Sequence, residues 1–419
     1  MCSRMSAQRY RHESLVGGRE IRMSVQVITG NHAAGYALSA AGEANRTSRG
    51  TACGIYPITP QTEIVEYVAK FPFSKGRVVP VESEHSAMAV TIGASIAGAR
   101  AFTASSSNGL AYMTENIMVA GYYRLPIVMV GVNRTLGPPW NIWADQGDTL
   151  MLRDFPWLQL YCEDSQEVLD TTLLAFRLAE DHRILLPALT CMDAFIVSHT
   201  QTETTMPDQA DVDRYLPDLD LPHRMRYDEA RTIGGLAWPH EGLSMRLEID
   251  EAMKRVPDVY QECRQRFSEV FGRDPGDVIQ TFGTEDATQI LIVTGTMATT
   301  AREVVRERRA AGEKIGLVKI KMFRPFPEGA LREACATAER VAVLDRNYAA
   351  GTGGVFWQDT RAAFQGHRDD LLIQNYLTGL CGEDVTPAVI GDILEDLSER
   401  DAAGEPVWMG IDTTKETLQ

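Results

Sequence analysis

The chain has 419 residues, 44% of them apolar and 23% charged, and a formal charge of −16. That length suits two or three domains with sizeable cores, and the composition excludes disordered and collagen-like chains. The acidic balance argues against nucleic acid as the main partner.

The seven cysteines are scattered and no two form a CxxC pair. This excludes a disulfide framework, a zinc ribbon and a locally held iron–sulfur cluster, and fits buried thiols in a reducing cytoplasm. The longest apolar run, 125–132, has the length of a buried strand and falls short of the roughly 20 residues of a membrane span. Ahead of Met23 stand Arg4, Arg9, Arg11, Arg19 and Arg22 without an apolar core, so residues 1–24 read as a disordered extension and not as a secretory signal.

From residue 25 the chain reads as α/β. A β-rich run, 25–29, leads into an alanine-rich helix, 33–44. Gly54-Ile55-Tyr56-Pro57-Ile58-Thr59-Pro60 is a strand end entering a loop, because prolines three apart forbid a helix there. A helix resumes over 61–70. A β-branched run, 77–81, precedes Glu82-Ser83-Glu84-His85 and a helix of small residues, 86–99. A strand over 101–105, a helix over 110–122 and a strand over 125–132 follow. The stretch 133–148 is a long Gly/Pro/Trp loop, and long loops inside compact domains tend to be functional. The alternation continues through Val197 and predicts a doubly wound parallel sheet. The pattern fades over 206–248, an excursion suited to embracing a partner. A charged amphipathic helix is predicted over 249–273. A second α/β unit then has strands at 289–294, 314–319 and 341–344, a helix over 298–311 and a rigid loop at 323–327. The acidic tail after Pro387 reads as a helix plus an arm.

Several residues are candidates for chemistry. Thr59 sits at a strand's carboxyl end, where open α/β sheets bind ligands, or it simply caps the next helix. Glu82 and Glu84 flank a helix start, where the dipole favours carboxylates. Buried behind small residues, one of them would have a raised pKa and be equipped for proton transfer. Arg134 opens the long loop and either grips a carboxylate bidentately or sits at the surface. Trp140 and Trp143 would supply apolar walls. Asp145-Gln146-Gly147-Asp148 would bind a metal or a partner loop, or be solvated. His199 packs or caps, and Gly351-Thr352-Gly353-Gly354 is a flexible turn with a loose likeness to a phosphate loop. No GxSxG elbow, Walker A loop or HExxH is present.

Taken in order, Tyr-Pro-Ile-Thr-Pro-Gln-Thr (56–62), Val-Glu-Ser-Glu-His-Ser-Ala-Met-Ala (81–89), Leu-Pro-Ile-Val-Met (125–129), Asn-Arg (133–134), Pro-Pro-Trp (138–140), Phe-Arg-Pro-Phe-Pro (323–327) and Val-Leu-Asp-Arg-Asn (343–347) resemble the α subunit of 2-oxoacid:ferredoxin oxidoreductases of the multi-subunit archaeal, pyruvate:ferredoxin oxidoreductase-like type. The resemblance implies a pyrimidine-binding domain of the thiamine-diphosphate-enzyme kind over 25–255, a connector helix at 256–286, a transketolase C-terminal-like α/β domain at 287–390 and an arm at 391–419. It implies that Glu84 hydrogen-bonds N1′ of the aminopyrimidine of thiamine diphosphate. Thr59 and Arg134 would hold the substrate's carboxylate and carbonyl, and Asn108 would be a further substrate contact. The implied reaction is oxidative decarboxylation of a 2-oxoacid to acyl-CoA and CO2, with coenzyme A as co-substrate.

The implied partners are a β subunit with the diphosphate and Mg2+ site, a γ subunit, a δ ferredoxin-like subunit with [4Fe-4S] clusters and, as an option, a flavin/NAD subunit, all in a dimer of the hetero-oligomer. The sequence agrees with that division, since Gly147-Asp148, Gly276-Asp277 and Gly391-Asp392 each lack the rest of the thiamine enzymes' GDG…N motif. Pyruvate is the default substrate, and Thr59 argues against oxalate. The chain departs from the family at His32, at Asn108, where a glutamine is expected, and through loop 134–143. These departures leave open a branched or aryl 2-oxoacid (2-oxoisovalerate, phenylglyoxylate) in a pocket lined by Tyr112, Trp140 and Trp143. A non-catalytic scaffold subunit is the other alternative, and the presence of Thr59, Glu84 and Arg134 together counts against it.

Overall fold

The computed structural model describes residues 10–16 and 19–411, with side chains from residue 24. The first sheet has seven strands in the spatial order Met322–Arg324, Leu158–Cys162, Ala188–Asp193, Val128–Asn133, Arg100–Ser105, Thr51–Ile55 and Gly76–Pro80. All are parallel except Met322–Arg324, which pairs antiparallel with Leu158–Cys162. The four strands from Leu158–Cys162 to Arg100–Ser105 are buried along their whole length, because helices cover both faces. The period-2 geometry of a strand divides their side chains between two cores. Val128, Val130 and Val132 pack with helices Gly30–Ala44 and Ser165–Ala179, while Ile127 and Met129 face Met88, Ile92 and Ile117 of helices Glu84–Ile96 and Thr114–Tyr122. Small residues bring backbone against backbone. A Cβ on Gly54 would lie 2.2 Å from the Ala87 carbonyl oxygen, so helix Glu84–Ile96 rests directly on strand Thr51–Ile55.

The second sheet runs Ile279–Phe282, Ile315–Ile320, Gln289–Val293, Arg340–Asp345, Leu372–Leu377 and Val407–Trp408, parallel apart from its first strand. The two units share a core, in which Met129 and Leu189 of the first join Ile290, Val318 and Val341 of the second. Ion pairs also cross between them, the first of them buried. Lys319 Nζ lies 2.5 Å from Glu167, and Arg302 lies 3.0 Å from Glu163. Burial pushes the Glu167 carboxyl up, but Lys319 and Lys321 outweigh it and hold the group below its ordinary value. The segment 323–327, expected to be a rigid loop, in part carries the second unit's chain into the first sheet through Met322–Arg324. The neighbouring Phe323 ring packs on Tyr161 and Phe356.

Three further readings need correction. Residues 10–16 and 19–24, expected to be a disordered extension, form strands Tyr10–Val16 and Arg19–Thr29 of a three-stranded antiparallel sheet with Gln201–Pro207. The glycine pair Gly17-Gly18 between two β runs is the hairpin signal that the arginine count obscured. Residues 1–9 of the extension and 412–419 of the arm lie outside the described residues. The amphipathic helix expected over 249–273 is Pro239–Phe271, ten residues longer at its start. Pro239 stands at its first turn, where a missing N–H costs nothing, and the Glu241 side chain accepts from Trp238 N at 2.7 Å. Within the arm, Val407–Trp408 returns to extend the second sheet.

The Gly351–Gly354 turn leads into helix Val355–Phe364, and the N-terminus of that helix is already filled. The Asp345 carboxylate accepts from Phe356 N (2.9 Å), Trp357 N (3.1 Å), Asn347 Nδ2 and Asn375 Nδ2 (both 2.8 Å). Burial nevertheless pushes this carboxyl up to about 7. A Cβ on Gly354 would lie 2.1 Å from Asp345 Oδ2. Gly354→Ala is expected to destabilise the chain by about 3 kcal/mol through overpacking. Chemical denaturation at unchanged slope would read this directly, and an unshifted midpoint would mean that the helix start yields freely.

Candidate active site at the carboxyl edge of the first sheet

Four adjacent parallel strands each deliver one candidate residue just past their carboxyl ends. Glu84 follows Gly76–Pro80, Thr59 follows Thr51–Ile55, Asn108 follows Arg100–Ser105 and Arg134 follows Val128–Asn133. The chain leaves Thr51–Ile55 for a strand on one side and returns on the other. That reversal is the kind of switch point at which open α/β sheets form ligand crevices.

Arg134 is 8% exposed, and no carboxylate among the described residues is in salt-bridge contact with its guanidinium. It donates from Nη1 to the Thr59 carbonyl (2.7 Å) and from Nε to the Asn141 carbonyl (3.1 Å), leaving Nη2 without a partner among the described residues. The Thr59 side chain is exposed. Asn108 is committed at both ends of its amide. Nδ2 donates to Gly137 O (3.1 Å), and Oδ1 accepts from Gly137 N (3.0 Å), so it latches the loop that begins at Arg134.

Glu84 is the first residue of its helix, capped by Ser83, and is 8% exposed. Its carboxylate has no hydrogen-bond partner among the described residues. Gly109 packs against it, since a Cβ there would come within 2.9 Å of Glu84 Oε1. Glu82, the other candidate, is exposed and accepts from Ser86 Oγ, which holds its carboxyl below the ordinary value.

Asp148 is a structural centre that sequence reasoning missed. Fully buried, it accepts from Ser107 N (2.8 Å), Arg134 N (3.0 Å), Thr149 N (2.8 Å) and Asn133 Nδ2 (2.9 Å). It thereby ties the Asn108 turn to the start of the Arg134 loop. Ser107 takes φ +49 in that turn, a conformation that L residues seldom adopt. Burial pushes the Asp148 carboxyl up to about 7 against the pull of these donors. Only Gly-Asp in a loop marked the residue in sequence, which does not distinguish it from a solvated turn. Of the run 145–148, Asp145, Gln146 and Asp148 are buried, so the solvated reading fails. Gln146 donates to Asp193, which also accepts from Thr296 N and contacts Arg346 at 3.4 Å across the junction of the units.

The three aromatic residues expected to line one pocket have different neighbours. Tyr112 packs on His85, Trp140 covers Gly137, and Trp143 lies on Phe195 and against Gly382 of the second unit. Behind this loop a cavity of about 850 Å3 opens between the units, lined by Leu136, Leu150, Tyr348, Leu380 and Trp408 among others. His199 packs on Phe195 and bonds Ser198, as read from sequence. Among the described residues, no group of three or more His, Cys, Asp or Glu side chains is placed to hold a metal ion, and no helix is long and apolar enough to cross a membrane.

Residues 47–265 match the family model described as "Pyruvate flavodoxin/ferredoxin oxidoreductase, thiamine diP-bdg", and residues 287–390 match "Pyruvate:ferredoxin oxidoreductase core domain II". The chain is 38% identical over 392 residues to pyruvate synthase subunit PorA of Methanothermobacter thermautotrophicus, covering 93% of this chain and 99% of the relative. It is 40% identical over 392 residues to ketoisovalerate oxidoreductase subunit VorA of Pyrococcus furiosus, covering 91% and 97%. Among solved structures, a 2-oxoglutarate:ferredoxin oxidoreductase from Magnetococcus marinus superposes with TM-score 0.68 at 21% identity, over 89% of this chain and 65% of that one, a likeness of fold. A split-gene transketolase gives TM-score 0.53 at 13% identity, over 88% and 98%, and shares the fold in the same sense. Two family models in sequence, relatives matched almost end to end and a sheet edge carrying the expected residues agree: the chain belongs to the pyruvate:ferredoxin oxidoreductase family.

Proposed function

We propose that this chain is the α subunit of a coenzyme A-acylating 2-oxoacid:acceptor oxidoreductase, converting a 2-oxoacid to acyl-CoA and CO2. One observation carries the reading: a buried carboxylate, Glu84, and a buried guanidinium, Arg134, reach one sheet edge with no opposite charge in contact. Burying lone charges is costly unless a ligand completes them. The carboxylate suits the N1′ edge of an aminopyrimidine, and the guanidinium suits the carboxylate of an oxoacid.

In this reading Glu84 binds and orients thiamine diphosphate and holds the proton shared with N1′. The cofactor, when bound, supplies the carbon nucleophile that decarboxylation of a 2-oxoacid requires. Arg134 and the Thr59 hydroxyl hold the substrate, and Asn108 shapes its side of the pocket by latching loop 134–143. We assign the cofactor-facing unit to residues 25–255, the connector to 256–286, the second unit to 287–390 and the arm to 391–419. A β subunit would supply the diphosphate and Mg2+ site, a ferredoxin-like δ subunit the [4Fe-4S] clusters and a γ subunit the rest, in a cytoplasmic dimer of the hetero-oligomer. The lack of a complete GDG…N motif and of grouped cysteines supports that division.

Pyruvate is the default substrate. A branched oxoacid is the second reading, because a ketoisovalerate oxidoreductase subunit matches at 40% identity and a pyruvate synthase subunit at 38%. The test is acyl-CoA formation by the natively purified complex with a low-potential dye as acceptor, comparing kcat/KM for pyruvate, 2-oxoisovalerate and phenylglyoxylate. One preferred oxoacid is expected. No coenzyme A-dependent turnover with any of them in a cofactor-replete complex would favour the scaffold reading.

A further inference from the structure

Three serines follow one another at the end of strand Arg100–Ser105 and differ in their commitments. Ser106 Oγ donates to Val132 O and Ser107 Oγ to Thr135 O, both at 2.6 Å. Ser105 is fully buried, and its hydroxyl has no partner among the described residues. A buried hydroxyl left unpaired lowers stability, so its presence calls for a cause. The nearest cause lies beside it. A Cβ on Gly109 would lie 2.5 Å from Ser105 Oγ and 2.9 Å from Glu84 Oε1. The unpaired hydroxyl and the unpaired carboxylate therefore border one small space, and the glycine keeps it open.

We infer that Ser105 is a positioning residue for Glu84: its hydroxyl donates to the Glu84 carboxyl, directly or through one water, and aims it at the cofactor, while Gly109 keeps the gap clear. The inference rests on the proposed role of Glu84 in binding thiamine diphosphate. Loss of Ser105 should free the carboxylate to turn away from N1′.

The test is a double-mutant cycle on the assembled complex, using Ser105→Ala, Glu84→Gln and the pair. The readouts are thiamine diphosphate affinity by calorimetry on cofactor-stripped complex and the melting temperature without cofactor. Ser105→Ala is expected to weaken the cofactor about tenfold, as for loss of a hydrogen bond to a charged group. The effect should shrink below about twofold in the Glu84→Gln background, because the two groups would act as one unit. The melting temperature without cofactor should fall by no more than a few degrees, as for loss of one buried hydrogen bond. An unchanged affinity, or an equal loss in both backgrounds, overturns the inference alone. If Glu84→Gln itself leaves cofactor affinity and turnover intact, the cofactor reading falls and the inference with it.

Discussion

Glu84→Gln is expected to leave the complex assembled and folded while cutting turnover about a thousandfold, the range that a positioned proton-transfer group contributes. The substitution barely changes volume, and among the described residues the Glu84 carboxylate has no direct hydrogen-bond partner to lose. What changes is charge and donor character. A glutamine cannot share a proton with N1′, and its amide presents N–H groups to a pocket shaped for an acceptor. Steady-state acyl-CoA formation at saturating cofactor, together with an unaltered circular dichroism spectrum, is the relevant measurement. Activity near that of the wild type would remove Glu84 from the chemistry.

Arg134→Ala is expected to lower kcat/KM for the oxoacid about a hundredfold and leave thiamine diphosphate affinity nearly unchanged. Two effects combine. The substrate carboxylate loses its fork, and the loop loses its ties to the Thr59 and Asn141 carbonyls. Arg134→Lys separates them: a lysine retains the charge but neither the planar fork nor both carbonyl contacts, so it should recover only part of the loss. An unchanged kcat/KM in Arg134→Ala would refute the clamp.

Sequence and structure agree where local physics decides. A parallel strand covered on both faces reads as a continuous apolar run, so 125–132 could be found, and with it the strand end that carries Arg134. The small-residue helix pointed to burial of Glu82 or Glu84, the family resemblance singled out Glu84, and Glu84 is the one that is buried. Long-range pairings left no such trace. Asp148 gathers donors from three segments, and nothing in Gly147-Asp148 distinguishes it from a surface turn. Asn108 reads as a ligand contact, but its amide is occupied by Gly137, almost thirty residues on. The helix start at Pro239 fell inside the stretch 206–248 read as an excursion, because a proline at a helix start and one in a loop are alike until the partners of neighbouring N–H groups are known.

The short strand Met322–Arg324 has a consequence for how the chain can be divided. It covers the outer side of Leu158–Cys162, five residues buried from end to end. A fragment ending before the second unit would expose that row of apolar side chains beside unpaired backbone N–H and C=O groups, a template for intermolecular β-pairing. The first matched family model ends at residue 265 and the second begins at 287, yet a cut between them would yield a first half prone to aggregate, so the two halves are to be expressed as one folding unit.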